Sequence, residues 1–235
     1  MWGLLYKDFL LIKHNLITGF LGIIATALAL MIVIAGMNYG NFREVAETGN
    51  LYQIFYQACI LFLYFGGIGT ALMSASSIDQ DHKAEWYKVL YASPVTPWTE
   101  ICSRYIMGFA VNTLACVLIS MLLPFLYKVG NVDLTLSNYK AVLCCWLVGM
   151  ILILIRLPLD IVYPANVSTA ISLTVLAVVM FAFIFWNVNV DIEEVVITVK
   201  GWLDFILDHG VILMILLTLA SFAFSYFGKK SRRWA

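Results

Sequence analysis

Residues 16–36 read LITGFLGIIATALALMIVIAG, a stretch without a single charged side chain. A helix rises about 1.5 Å per residue, and roughly 20 apolar residues cross ~30 Å of hydrocarbon. The stretch therefore predicts a membrane-spanning helix. Reading outward between charged residues gives five more candidates, at 52–76, 105–127, 141–159, 168–188 and 211–228. The fourth is the shortest uncharged run, because it stops at Ile155 and is followed by Arg156. Composition agrees with this reading. The chain has 235 residues, 63% of them hydrophobic and 12% charged, whereas soluble domains hold about 45–50% and about 25%. The expected fold is a single all-α integral membrane domain, 1–235, with six transmembrane helices.

Several function classes are excluded at this level. Net charge is zero, and a nucleic-acid partner would require a basic face. The five cysteines (Cys59, Cys102, Cys116, Cys144, Cys145) form no CxxC pair, and four lie in apolar runs. They read as small packing residues rather than as a disulfide framework or a metal site. His14, His82 and His209 lie near span ends, and neither HExxH nor GxSxG occurs, so catalysis by this chain is not expected. The N-terminal MWGLLYKDFLLIKHN scatters Lys7, Asp8 and Lys13 through apolar residues and continues into too long a run for a cleavable signal.

Orientation follows from the cations flanking the spans. With the N-terminus inside, the cytoplasmic segments hold ten of the 14 Lys and Arg: Lys7, Lys13, Lys83, Lys88, Arg104, Arg156, Lys229, Lys230, Arg232 and Arg233. Arg43, Lys128, Lys140 and Lys200 fall outside. Both termini are therefore expected in the cytoplasm of a multi-pass cell-membrane protein. Two further segments are amphipathic. Residues 1–15 set Leu4, Leu5, Phe9, Leu10 and Ile12 among charges, as in an elbow helix lying in the lipid interface ahead of the first span. Residues 189–210 alternate acidic and apolar side chains and are expected on the extracellular surface.

The segment 77–104 is long for a connection between spans and has a specific character. Residues 79–92 read as an amphipathic helix with Trp86, Val89 and Leu90 on one side and Asp79, Asp81, Lys83, Glu85 and Lys88 on the other. Pro94 stops that helix by removing a donor and biasing its predecessor away from helical geometry. Thr96-Pro97 opens the next one, with Pro97 suited to its first turn and Glu100 to its positive end. A short helix, a proline turn and a re-entering helix form a projection that a cytoplasmic partner can push.

The run Asp79-Gln80-Asp81-His82-Lys83-Ala84-Glu85-Trp86, then Val89-Leu90-Tyr91-Ala92-Ser93-Pro94-Val95-Thr96, then Glu100-Ile101 and Arg104-Tyr105, resembles the first cytoplasmic loop of type-2 ATP-binding-cassette exporter permeases. Leu4-Leu5-Tyr6-Lys7-Asp8-Phe9-Leu10-Leu11 is similar to the family's elbow helix. The resemblance covers all six spans as architecture, but only residues 4–13 and 79–105 carry it as motif. It implies that Asp81, Glu85, Trp86, Leu90, Ser93, Pro94, Glu100 and Arg104 couple the chain to an ATPase. The second cytoplasmic loop, with Arg156 and Asp160, keeps the family's Leu157-Pro158 but has Tyr163-Pro164-Ala165 where an aromatic-glycine pair often follows. No GxxxxGK[ST] occurs, so no phosphate-binding loop is present here. The implied partners are a cytoplasmic ATPase subunit, which would carry ATP and Mg, and a second copy or a related permease, all within membrane lipid. This chain itself is expected to bind no cofactor.

Gly66, Thr70 and Ser74 fall four apart in the second span, as do Gly67 and Ala71. Small residues at this spacing let helices approach closely, for packing within the chain, at a subunit interface or along a conduit. Aromatics of the same span (Tyr52, Phe55, Tyr56, Phe62, Tyr64, Phe65) suit a membrane belt or an apolar vestibule. Arg156 is the one charge read inside a span, within reach of Asp160 four residues on, and a midplane titrating group of the ion-coupled transporter type is missing. The expected function is ATP-driven export of a hydrophobic or amphipathic substrate, with an antimicrobial or toxin-like peptide favoured. The alternative is a non-transporting immunity protein that sequesters such peptides.

Overall fold

The computed structural model describes residues 2–39, 51–73, 78, 81, 96–132, 134, 136–163, 167–168, 170–171, 174 and 192–233. Five long helices account for nearly all of them: α1 Trp2–Tyr39, α2 Leu51–Leu72, α3 Pro97–Gly130, α4 Leu136–Val162 and α5 Ile192–Arg233. There is no strand among the described residues. Among the described residues four stretches are long and apolar enough to cross a membrane: Trp2–Met37, Pro97–Gly130, Asn138–Val162 and Ile212–Lys230. Helix α2 adds a shorter apolar run, Cys59–Thr70. Apart from Ser168, Ala170, Ile171 and Thr174, which are helical, the expected span 168–188 lies outside the described residues.

Two boundaries expected from the sequence are absent. The elbow segment 1–15 does not turn into a separate span at 16, because α1 is one helix of 38 residues, about 57 Å long. Residues 192–210 of the expected extracellular segment are likewise no separate element, because they open α5, a single helix of 42 residues. The physical reason is that neither junction carries a strong stop. Thr18 donates its hydroxyl back to the His14 carbonyl at 3.0 Å, inside the helix rather than as a cap. Extending a formed helix by one residue costs less than ending it and nucleating another. Helices α3 and α4 also exceed their expected spans, beginning at Pro97 and Leu136.

The ends of α3 are set by local chemistry. Thr96 caps its start: its hydroxyl oxygen accepts from the Thr99 amide at 3.3 Å, and its carbonyl accepts from the Glu100 amide at 3.3 Å. Pro97 takes the first helical position, where a missing N–H is harmless. At the other end Asn131 adopts φ 53°. The Val132 amide reaches the Tyr127 carbonyl at 3.1 Å and the Asn131 amide reaches the Lys128 carbonyl at 3.3 Å, the pairing of a Schellman stop.

The chain forms two compact units, and α3 and α4 contribute to both. The first comprises Leu5–Ser74 and Ile106–Met150. Its core draws Ile23, Ala27 and Ile34 from α1, Tyr56, Cys59, Ile60 and Leu63 from α2, Ile119, Leu123 and Leu126 from α3, and Val142 and Cys145 from α4. Small residues let these helices close up. A Cβ at Gly67 would lie 2.4 Å from Ile119, and one at Gly19 would lie 3.0 Å from Thr70. Asn112, 1% exposed, donates its amide to the Trp146 carbonyl at 2.9 Å. The Trp146 indole donates to the Thr113 hydroxyl at 3.1 Å, so α3 and α4 are joined by two polar contacts. The outward face of α1 is apolar, with Ile17, Leu21, Leu28 and Ile32 exposed, as a lipid-facing stripe requires.

The second unit comprises Met1–Leu4, Ala75–Tyr105 and Ile151–Ala235. Here the last turns of α5 lie against the end of α4 and the start of α3. Gly228 permits this approach, since a Cβ there would fall 2.4 Å from a methyl of Val162. Val162 is branched at Cβ and cannot swing its methyls away freely.

One packing contact makes a stability prediction. A Cβ at Gly149 would sit 2.4 Å from the side-chain oxygen of Asn112. Gly149→Ala should cost about 1–3 kcal/mol, as overpacking does, read as a lowered thermal midpoint of the detergent-solubilised chain. In an Asn112→Ala background the same substitution should cost little. Equal midpoints for Gly149→Ala and the parent would contradict this packing.

Candidate coupling site

The charged residues of an apolar chain are its most informative side chains, because each must be solvated or paired. In the second unit four of them converge. Asp81 comes from the segment between α2 and α3, Glu100 and Arg104 from the first two turns of α3, and Lys229 from the last turns of α5. Arg104 donates from one guanidinium nitrogen to Asp81 at 2.6 Å and to Glu100 at 3.2 Å. The second Glu100 oxygen pairs with the Lys229 ammonium. Charges therefore alternate along a chain, Asp81–Arg104–Glu100–Lys229, and the four sum to zero.

All four are withdrawn from water. Asp81, Glu100 and Arg104 are 7%, 4% and 6% exposed, and the Lys229 side chain is 13% exposed. The spacing of Glu100 and Arg104, one helical turn apart, places both on the same face of α3. Glu100 sits in the first turn, where the positive end of the helix favours a carboxylate. Its two oxygens face different cations, so it bridges one element to another.

Below the charges runs a seam of hydroxyls. Tyr105 contacts Ser221 at 2.5 Å and Ser225 at 3.1 Å. Ser221 donates to the Leu154 carbonyl of α4, and Ser225 donates to the Ser221 carbonyl at 3.0 Å. With both serine protons so used, Tyr105 is left as the donor to Ser221. Aromatic rings close the outer side, with Trp98 edge-on to Phe222 at 4.3 Å and to Tyr226 at 6.2 Å. Ser221, Ser225 and Lys229 are four apart and lie on one face of α5, which is the face turned to α3 in this unit.

A second polar group sits at the end of α4. Arg156 donates to Asp160 at 3.3 Å, and Ser168 donates to the other Asp160 oxygen. Arg156 is 37% exposed in its side chain, so this pair contributes little stability by itself. The Asp160–Ser168 bond spans Tyr163-Pro164 and fixes where the chain resumes after α4.

Of the residues singled out from the sequence, Asp81, Glu100 and Arg104 are brought into one cluster, and Arg156 and Asp160 form a separate pair. Glu85, Trp86, Leu90, Ser93 and Pro94 lie outside the described residues, as do Ser74 and the side chain of Ala71. Gly66, Gly67 and Thr70 face Ile23, Ile119 and Gly19 of the same chain, and Thr70 returns its hydroxyl to the Gly66 carbonyl at 2.9 Å. Sequence reading missed Tyr105, Ser221, Ser225 and Lys229. Lys229 was absorbed into the basic tail, although the four-residue spacing Ser221–Ser225–Lys229 inside an apolar helix was a usable signal. Asp8, one of the charges scattered through the amphipathic N-terminal segment, is 2% exposed and paired with Lys7 at 3.1 Å.

The cluster predicts an asymmetry between single and concerted changes. Arg104→Met removes the cation that Asp81 and Glu100 share in a buried site and should cost about 3–5 kcal/mol, as loss of one member of a buried ion pair does. Arg104→Lys should recover part of that stability in the same thermal assay. An Arg104→Met chain as stable as the parent would show that these carboxylates are not buried against it.

Compared with known families, the chain matches the family model of ABC-2 family transporter proteins over residues 3–228. No curated protein and no solved structure matches the chain. The matched region takes in all five helices almost to their ends, including each residue of the charged chain except Lys229. The chain is a multi-pass membrane permease of the ABC-2 transporter family.

Proposed function

We propose that this permease is the membrane half of an ATP-driven exporter and that its motor is a separate polypeptide. The observation that carries the reading is the burial of Asp81 against Arg104. It joins the segment between α2 and α3 to the first turns of α3, so a push on that segment is delivered to a helix rather than dissipated in a loop. The family membership supports a transport role, and the missing GxxxxGK[ST] leaves nucleotide binding to a partner. Glu85, Trp86, Leu90, Ser93 and Pro94 form the surface offered to that ATPase.

In this reading the chain has six spans, with 168–188 as the fifth in chain order, and both termini are cytoplasmic. Six spans make half of a pathway, which two copies or two related permeases complete. The expected spans carry few charges, and this favours a hydrophobic or amphipathic cargo such as a peptide over sugars or ions. The immunity alternative differs in one respect: protection against a peptide would persist with a catalytically dead ATPase.

Two measurements test this. Co-expressed with a cytoplasmic ABC ATPase of the same cell, the chain should purify as a stable complex. Trp86→Ala should weaken that complex by about 2 kcal/mol or more, as removal of a buried aromatic anchor does, and Glu85→Ala should lower its hydrolysis rate. Failure to co-purify with a cytoplasmic ATPase would sink the proposal. For topology, a fluorescent protein that folds only in the cytoplasm should fluoresce when fused after Ala235, and a periplasm-active phosphatase fused there should be inactive. The reverse pattern would invert the orientation.

A further inference from the structure

The four-charge chain is not explained by stability. Well-packed apolar side chains of similar volume generally do as well as a buried ion-pair network, or better, because each charge must first lose its water. What charges supply and apolar contacts do not is a discrete geometry, with one partner arrangement favoured over neighbouring ones. Glu100 is the pivot of that geometry. One oxygen is held by Arg104, which also holds Asp81, and the other by Lys229. Asp81 cannot be displaced with Arg104 without either carrying Glu100 and Lys229 along or breaking the chain.

Lys229 is well placed to pass such a displacement on. The residue before it, Gly228, lies directly against Val162 of α4. Eight residues earlier, Ser221 is bonded both to Tyr105 of α3 and to the Leu154 carbonyl of α4. The last turns of α5 are thus gripped at two levels, by hydroxyls at Ser221 and Ser225 and by charge at Lys229. Its neighbour Lys230 is exposed and has no part in the grip.

We propose that Lys229 is a positioning residue through which movement of the Asp81 segment is transferred to α5, so that α5 is driven by the motor together with α3. This rests on the permease reading above and adds to it a residue and a helix which that reading does not require. Lys229 touches no nucleotide in this scheme, and its role is mechanical.

The test uses the full chain in complex with its ABC ATPase, with native cysteines replaced and a single cysteine introduced at Ser231, just past the apolar stretch of α5. The rate of labelling by a water-soluble maleimide is compared without nucleotide and after trapping with ATP and vanadate. With Lys229 present, trapping should change the rate. Lys229→Met should abolish that change while the complex still forms and hydrolyses ATP, and Lys229→Arg should restore it. Asp81→Asn, at the far end of the chain, should abolish it too, whereas Lys230→Met should leave it intact although it removes the same charge from the tail. A nucleotide-dependent change that survives Lys229→Met overturns the proposal. So does equal loss in Lys229→Met and Lys230→Met, which would make Lys229 a topological anchor only. An unresponsive parent complex that hydrolyses ATP overturns the proposal alone, whereas failure to form a complex overturns the permease reading beneath it.

Discussion

Hydrocarbon offers no hydrogen-bond partners, and nearly every feature of this chain follows from that. Backbone amides and carbonyls must be paired within each spanning segment, which leaves the helix as the local answer. Side-chain hydroxyls obey the same demand. Thr70, Ser120 and Thr218 each donate to the carbonyl four residues earlier, at 2.6–2.9 Å. They are satisfied within their own helix and exert no pull on a neighbour. Against that background the few polar groups that reach another helix stand out. Asn112 and Trp146 tie α3 to α4 in one unit, and Tyr105, Ser221 and Ser225 tie α3, α4 and α5 in the other. Apolar packing permits several registers between two smooth helices, and these bonds select one.

Charge is rationed by the same constraint and is gathered where it can act. The Asp81–Arg104–Glu100–Lys229 chain is neutral as a whole and buried as a whole, which removes the cost that an isolated ion would carry. Its members come from three separate parts of the sequence, so it exists only when those parts are assembled. In the proposed reading the permease receives work from a partner, and a network with one preferred geometry is a means of receiving it.

Close approach at glycine is the third theme. Gly67 against Ile119, Gly149 against Asn112 and Gly228 against Val162 each put a backbone where a Cβ would collide. Between apolar helices in lipid the association energy comes from such contact rather than from exclusion of water. The contacts seen for Gly66, Gly67 and Thr70 lie within this chain.

The sequence by itself determined the class. Uncharged runs such as 16–36 and 105–127 can be solvated only by lipid, and each run reports that fact locally. It also determined the start of α3, because Thr96-Pro97 and Glu100 are read from their own neighbours. The loop residues Asp81, Glu100 and Arg104 stood out as a charged group in an apolar chain. What tertiary structure decided was which charges meet. Lys229 lies 129 positions after Glu100 in the numbering, and in sequence only its four-residue spacing from Ser225 and Ser221 sets it apart from Lys230, which is exposed. Their difference is a rotation of about 100° around the axis of α5, and only the packing of α5 against α3 and α4 gives that angle a meaning. The continuity of α1 and α5 was illegible for a related reason. Amphipathic and apolar halves look like two elements in composition, yet the helix propagates across the join because nothing there stops it.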